Sequence, residues 1–197
     1  METTKGQNHI NLNKTEHALV AISALTTQGN WTQLNKALQE GLDAGLTVNQ
    51  VKETLAQLYA YCGFPKSLQG VNTFMAVLAD RKTKGITDNV GKDVSPIDES
   101  ADKYERGRKV LETLSKQPQS KPAKGFGEFS PGIDRFLKEH LFADIFDSDI
   151  FTYLQRELIT ISALSPTPGV EPMLQAHITM GMNVGITSDQ NTETIIN

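Results

Sequence analysis

Residues 34–47 read LNKALQEGLDAGLT, and residues 174–187, which lie 140 positions later, read LQAHITMGMNVGIT. Both stretches begin with leucine, carry two glycines in the same register and end in Gly-x-Thr. A second pair precedes them, because residues 19–25 read LVAISAL and residues 158–164 read LITISAL. Two matched blocks in the same order indicate an internal duplication, and we therefore expect two related units in this chain.

Apolar spacing and capping signals predict that each unit is helical. In the first unit we expect helices at about residues 14–28 and 31–44, followed by a third helix that opens on the capping-box pattern of residues 47–50. Residues 61–65 read YCGFP, which predicts a stop and the start of a fourth helix. Glycine permits the turn there, and proline is compatible with a first helical turn.

The remainder of the chain divides into a linker and a second unit. We expect the first unit to span residues 1–83, and a linker with one short charged helix to span 84–129. Residues 130–197 would hold a connector helix and a second unit that is shortened at its C-terminal end. Ser130-Pro131 is typical of a helix start. The expected buried side of the connector consists of Ile133, Phe136, Leu137, Leu141 and Phe142.

Composition excludes several classes of function. The 197 residues include 19 basic and 23 acidic side chains, and the resulting net charge of -4 argues against a dedicated nucleic-acid binder. No apolar run approaches the roughly 20 residues that span a bilayer. The polar N-terminal stretch does not have the pattern of a signal peptide, so we expect a cytoplasmic protein. With Cys62 as its single cysteine, the chain can form neither an internal disulfide nor a Cys-x-x-Cys redox pair.

The ordered motifs resemble the carboxymuconolactone decarboxylase family, which also contains the alkylhydroperoxidase D type enzymes. The second unit carries Arg156-Glu157-Leu158, His177 and Gly185-Ile186-Thr187, and the first carries the Tyr61–Pro65 corner. Residues 136–142 resemble the connector of two-unit family members. The resemblance implies an all-α fold of two tandem alkylhydroperoxidase D-like helical repeats with a helical connector. It also implies a homo-oligomer, either a trimer or a dimer.

The chain departs from the peroxidase branch of this family. That branch carries Cys-x-x-Cys just before the family histidine, and the corresponding positions here are Val170 and Met173. Peroxide reduction through a disulfide needs an attacking thiol and a resolving thiol. Alkylhydroperoxidase or peroxiredoxin-type activity is therefore a disfavoured alternative. In the first unit the histidine position is Ala37, so that unit has lost the polar pattern.

The candidate site consists of His177, Glu157 and Arg156. An imidazole titrates near neutral pH and suits proton transfer to carbon, a neighbouring carboxylate can fix its tautomer, and a guanidinium can bind a carboxylate. The resemblance implies a carboxy-lyase that acts on a small anionic lactone or keto acid without a cofactor or metal. Each residue also has an ordinary structural explanation, so a non-catalytic binding or scaffold protein is the other alternative.

Three further residues have structural explanations that we prefer. We expect Tyr61 to pack at the helix corner, Cys62 to act as a small buried apolar side chain and His140 to have a structural role.

Overall fold

The computed structural model describes residues 11–96 and 102–196, and all the regular structure in these residues is helical. The first unit consists of α1 (Lys14–Gln28), α2 (Trp31–Asp43) and α3 (Val48–Thr83). The outer ends of the two expected units, residues 1–10 and 197, lie outside the described residues. The predicted all-α class and the predicted starts of these helices are confirmed.

Capping side chains fix where the helices of the first unit begin. The Asn13 side chain accepts hydrogen bonds from the first turn of α1, and the Glu16 carboxylate accepts one from the Asn13 backbone N–H, which completes a capping box. Thr47 and Gln50 form the same reciprocal arrangement at the start of α3, where the sequence predicts it. These bonds satisfy backbone N–H groups that the helix itself leaves unpaired.

The predicted corner at residues 61–65 is a kink within α3. Gly63 has φ 77° and ψ 161°, and helical geometry resumes on its far side. A left-handed φ suits glycine because an added Cβ would be strained there. The third and fourth predicted helices therefore form one interrupted element of 36 residues.

The linker contains more structure than we expected. The charged helix is α4 (Lys103–Ser115), and a short α5 (Phe126–Phe129) lies at the end of the predicted linker. The connector begins as α6 (Pro131–Arg135) and continues as a π-helix (Phe136–Phe146). The helix α4 packs directly on the π-helix, so closely that a Cβ built on Gly107 would overlap the Lys138 carbonyl oxygen.

The prediction of the connector's buried side is partly wrong. Leu141 and Phe142 are buried, but Ile133 is 58% exposed and Phe136 is 61% exposed. We had assumed α-helical spacing of 3.6 residues per turn. A π-helix has i→i+5 hydrogen bonds, so from Phe136 onward the residues progress differently around the axis and an α-helical stripe does not stay on one face. Ile133 lies before the π-helix, in α6, and this change of spacing does not explain its exposure.

The second unit consists of α7 (Tyr153–Leu164), α8 (Glu171–Asn183) and α9 (Ser188–Ile196). In each unit a helical glycine lets the second helix approach the first. Beside Gly41 lie Leu46 and Ala18, and beside Gly181 lie Ile186 and Ile161. A left-handed glycine then ends each turn, with φ 108° at Gly45 and 111° at Gly185.

Both units share one buried core. Helix α1 packs against α7 at the centre, and a single apolar cluster joins α1, α2, α3 and α7. A second cluster joins α4, the π-helix and α8, and includes Val110, Leu114, Leu141, Phe142, Ile145, Phe146 and Met180. Within the described residues no helix combines the length and apolar character needed to cross a membrane.

Gly107→Ala tests the close contact between α4 and the π-helix. Alanine normally favours a helix over glycine by roughly 0.5–1 kcal/mol, but here its Cβ would collide with backbone rather than with a movable side chain. We expect a net loss of about 3 kcal/mol in the free energy of unfolding, measured by urea denaturation. Gly132→Ala is the matched control, because a Cβ at Gly132 meets no atom within 4 Å. If the two variants are equally stable, α4 does not approach the π-helix as closely at Gly107 as described.

Candidate active site

His177 and Glu157 form a buried pair between adjacent helices of the second unit. His177 Nδ1 lies 2.8 Å from Glu157 Oε2, with His177 on α8 and Glu157 on α7. The carboxylate side chain is fully buried, whereas 11% of the imidazole side chain remains exposed. The structure therefore brings together two of the three residues that the sequence singled out.

Local features of both helices place this pair. Thr152 and Gln155 cap the start of α7 and fix the position of the turn that carries Glu157. On α8, Gly181 has no side chain to hold the helices apart, and a Cβ there would lie only 3.6 Å from the Glu157 Cβ. The close approach of α8 to α7 is what allows the imidazole to reach the carboxylate.

The environment of the pair suits it to holding a proton. Burial raises the pKa of the Glu157 carboxyl, while the neighbouring His177 acts in the opposite direction. Oε1 of Glu157 is buried and has no hydrogen-bond partner in the described residues. Because the carboxylate faces Nδ1, this nitrogen carries the proton in the favoured tautomer. Nε2 is then left for other chemistry, since no described residue hydrogen-bonds to it.

Tyr61 on α3 packs on the same imidazole. The two rings meet edge to face, with centroids 5.8 Å apart and planes 84° apart. Burial raises the pKa of the Tyr61 hydroxyl, and the charge of Glu157 raises it further. Tyr61, which we expected to be structural, therefore contacts the candidate site and brings a neutral phenol to it from the first unit.

Arg156 is adjacent to Glu157 in sequence, but its guanidinium contacts the first unit. Nη1 donates to Gln57 Oε1 at 3.0 Å, and Nη2 donates to Glu53 Oε1 at 2.5 Å and to the Ser148 carbonyl at 3.1 Å. The side chain is completely buried and lies over the Phe151 ring. Burial lowers the pKa of Arg156, and Glu53 opposes that shift. The partner of this cation is thus a carboxylate of the protein.

Gln57 completes the connection between α3 and α7. Its amide nitrogen donates to the Arg156 carbonyl at 2.9 Å and to Thr160 Oγ1 at 3.0 Å, while its oxygen accepts from the guanidinium. Our sequence analysis missed Glu53 and Gln57. Their spacing could have revealed them, because Glu53, Gln57 and Tyr61 are four residues apart and therefore share one face of α3.

Other potential ligand groups are scattered. Within residues 11–96 and 102–196, no three or more His, Cys, Asp or Glu side chains gather in a way that could hold a metal ion. His140 is exposed and pairs with Asp144 on the π-helix, at 2.9 Å from Nδ1 to Oδ2. Cys62 is partly buried beside the kink of α3.

Comparison with known proteins supports the family resemblance for the first unit. Residues 4–74 match the model of the carboxymuconolactone decarboxylase family. The match includes Glu53, Gln57 and Tyr61, the side chains that α3 directs to the second unit, whereas His177 and Glu157 lie outside it. No curated protein matches the chain.

Glu157→Gln tests the effect of burying the carboxyl. A raised carboxyl pKa means that the folded state binds this proton more tightly than the unfolded chain does. Its stabilising contribution is therefore present below the ordinary pKa and is lost as the pH rises through the folded pKa. We expect the free energy of unfolding of the native protein, relative to that of the variant, to fall as the pH rises above the ordinary glutamate pKa of ~4.3 in urea titrations.

Glu171→Gln is the matched control on α8. Backbone N–H groups of Glu171 and Gly169 lower the pKa of this exposed carboxyl. The sign is therefore opposite, and the native protein should gain stability relative to this variant as the pH rises. The burial argument fails if both variants show the same trend with pH.

Glu53→Gln tests the pairing of Arg156. Removal of one partner from a buried ion pair leaves the other charge uncompensated, so we expect a loss of about 3 kcal/mol in the free energy of unfolding. Glu40→Gln, at an exposed position of α2, should change it by less than about 0.5 kcal/mol. Chemical denaturation measures both. A Glu53→Gln variant as stable as the control would show that Arg156 does not depend on this carboxylate.

Proposed function

We propose that this protein is a carboxymuconolactone decarboxylase-like enzyme that acts on a small anionic lactone or keto acid by acid–base chemistry without a cofactor. The observation that carries the proposal is the buried His177–Glu157 pair, with a hydrogen bond of 2.8 Å. An imidazole that is oriented by a carboxylate and keeps one edge exposed is equipped to exchange a proton with a bound molecule.

The proposed reaction is loss of carbon dioxide followed by protonation. When the bond between the carboxylate and its carbon breaks, the electron pair moves into a conjugated carbonyl and gives an enolate. The His177 imidazolium donates the Nε2 proton to the carbon, and the neutral ring recovers a proton from solvent. Glu157 keeps Nδ1 protonated throughout and stabilises the imidazolium form.

We assign Arg156 a positioning role in this proposal. The sequence analysis gave it the substrate carboxylate, but both of its terminal nitrogens already donate to Gln57, Glu53 and the Ser148 carbonyl. A guanidinium engaged in this way fixes the start of α7 against α3. It thereby determines where the neighbouring Glu157 stands relative to Tyr61.

We further propose that the two units are tandem repeats related by approximate twofold symmetry. Aligning the duplicated segments pairs Arg156 with His17, and Glu53 with Glu193. Each unit supplies the basic side chain of one pair and the carboxylate of the other, because Arg156 binds Glu53 and His17 Nε2 lies 2.9 Å from Glu193 Oε1. Such an exchange is what a duplicated and fused homodimer would retain.

The surface supports the proposal of a homo-oligomer. Several large apolar side chains are exposed on α3 and around the connector: Phe64, Leu68, Met75, Phe126, Phe129, Ile133 and Phe136. Phe129 alone is 92% exposed. Exposed apolar side chains grouped in this way are typical of a protein–protein interface. We therefore keep the proposal that the protein forms a trimer or a dimer, and we propose that it does so in the cytoplasm.

The structure gives no support to a peroxidase. Burial raises the pKa of the Cys62 thiol, whereas Thr27 and Lys66 oppose the shift. A reactive cysteine needs a lowered pKa, since the thiolate is the nucleophile. Cys62 therefore lacks the activation that peroxide reduction requires.

His177→Gln tests the proposed enzyme. The assay measures carbon dioxide release from a panel of lactone carboxylates and β-keto acids, beginning with carboxymuconolactone, and deuterium incorporation into the product. Loss of the general acid should lower kcat at least ~100-fold.

His140→Gln is the control, because this exposed histidine on the π-helix is paired with Asp144 away from the buried dyad. Unchanged turnover in His177→Gln would reject the mechanism. If the native protein turns over no member of the panel and leaves its α-hydrogens unexchanged, the non-catalytic alternative replaces the enzyme.

A further inference from the structure

The first unit contains a cavity of about 240 Å³ between α1 and α2. Its interior is lined by the methyl groups of Ala18, Ala21, Ala37 and Ala44. Lys14, His17 and Glu40 contribute charged groups to the lining. The cavity therefore combines an apolar interior with ionic side chains, which is the arrangement that holds and orients a small ligand.

Comparison with the second unit explains why this space is open. The alignment of the duplicated segments places Glu157 at the position of Ala18, Thr160 at that of Ala21 and His177 at that of Ala37. The backbones approach in the same manner, because Gly41 contacts Leu46 and Gly181 contacts Ile186. The two units thus differ here in side-chain volume. At these aligned positions the second unit carries an imidazole, a carboxylate and a threonine where the first unit carries three alanines.

We propose that this cavity binds a small planar nitrogen heterocycle of the size of imidazole. Its ring would lie against the alanine methyls, in the place that the His177 ring takes in the second unit. Glu40 lies one helical turn after Ala37 and provides the carboxylate that accepts the ring N–H. The proposal is independent of catalysis at His177.

The other charged groups at the cavity set limits on the ligand. His17 Nε2 is paired with Glu193 at 2.9 Å, so that imidazole is already engaged. Lys14 lies one turn before His17 on α1 and would repel a second cation. A neutral ring with one donor and one acceptor nitrogen satisfies these conditions. Because ligand pockets for drug-sized molecules are roughly 300–1,000 Å³, the occupant must be smaller.

The experiment is an NMR titration of the full chain with imidazole. The protein carries no histidine tag and is labelled at its alanine methyls. The titration is run at pH ~8, where imidazole is neutral. We expect saturable shifts at the methyls of Ala18, Ala21 and Ala37, with a dissociation constant on the order of 1–10 mM. Ala37→Leu fills the cavity and should raise that constant at least ~10-fold. Ala76→Leu, at an exposed position of α3, should leave it unchanged.

Specific results would overturn the proposal. It is wrong if the alanine methyls of the cavity do not shift at an imidazole concentration of ~50 mM. It is also wrong if the Ala37→Leu variant binds imidazole as tightly as the native protein does. If only residues around His177 shift, imidazole binds in the second unit, and the proposal is also rejected. Circular dichroism checks that Ala37→Leu is folded. If Ala37→Leu is not folded, Ala21→Leu takes its place as the test, because leucine at position 21 fills the same space from α1. This variant must then bind imidazole more weakly than the native protein.

Discussion

A charged guanidinium at the centre of the molecule constrains how the two units pack. Arg156 has no exposed surface, and its charge is balanced by Glu53 from the other unit. Leaving this buried charge unpaired would cost about 3 kcal/mol, which is a large share of the roughly 5–15 kcal/mol that stabilises a typical domain. The first half of α3 must therefore lie where Glu53 and Gln57 can reach α7, and the same placement brings Tyr61 onto the His177 ring.

The candidate site is consequently built by both units. The second unit supplies the hydrogen-bonded His177–Glu157 pair, and the first supplies the Tyr61 ring beside it and the Gln57 side chain that bonds to α7. This division agrees with the family match, which covers the residues of α3 but not the histidine. The first unit, which carries Ala37 at the position aligned with His177, thus forms part of the surroundings of that histidine.

Much of the fold could be predicted because it is encoded locally. Capping boxes at Thr47 and Thr187, the turn glycines and the repeated apolar blocks specify helix starts and order without reference to distant residues. The π-helix could not be predicted, since apolar spacing and capping signals distinguish helices from loops but do not specify i→i+5 hydrogen bonding. The candidate pair was found through sequence spacing and family resemblance. The partners of Arg156 were missed because they lie 99 and 103 positions away in the chain, a separation that local patterns do not report.

The left-handed residue in α3 has a consequence for how this helix tolerates change. Within a regular helix, one inserted residue rotates everything beyond it by about 100°. Gly63 already interrupts the helical repeat, so the turns before it and after it keep separate registers. An insertion just after the kink would rotate Phe74 and Val77 out of the core of the first unit, yet Tyr61 would keep its orientation. Such an insertion would therefore disturb the packing of the second half of α3 and leave the orientation of Tyr61 unchanged.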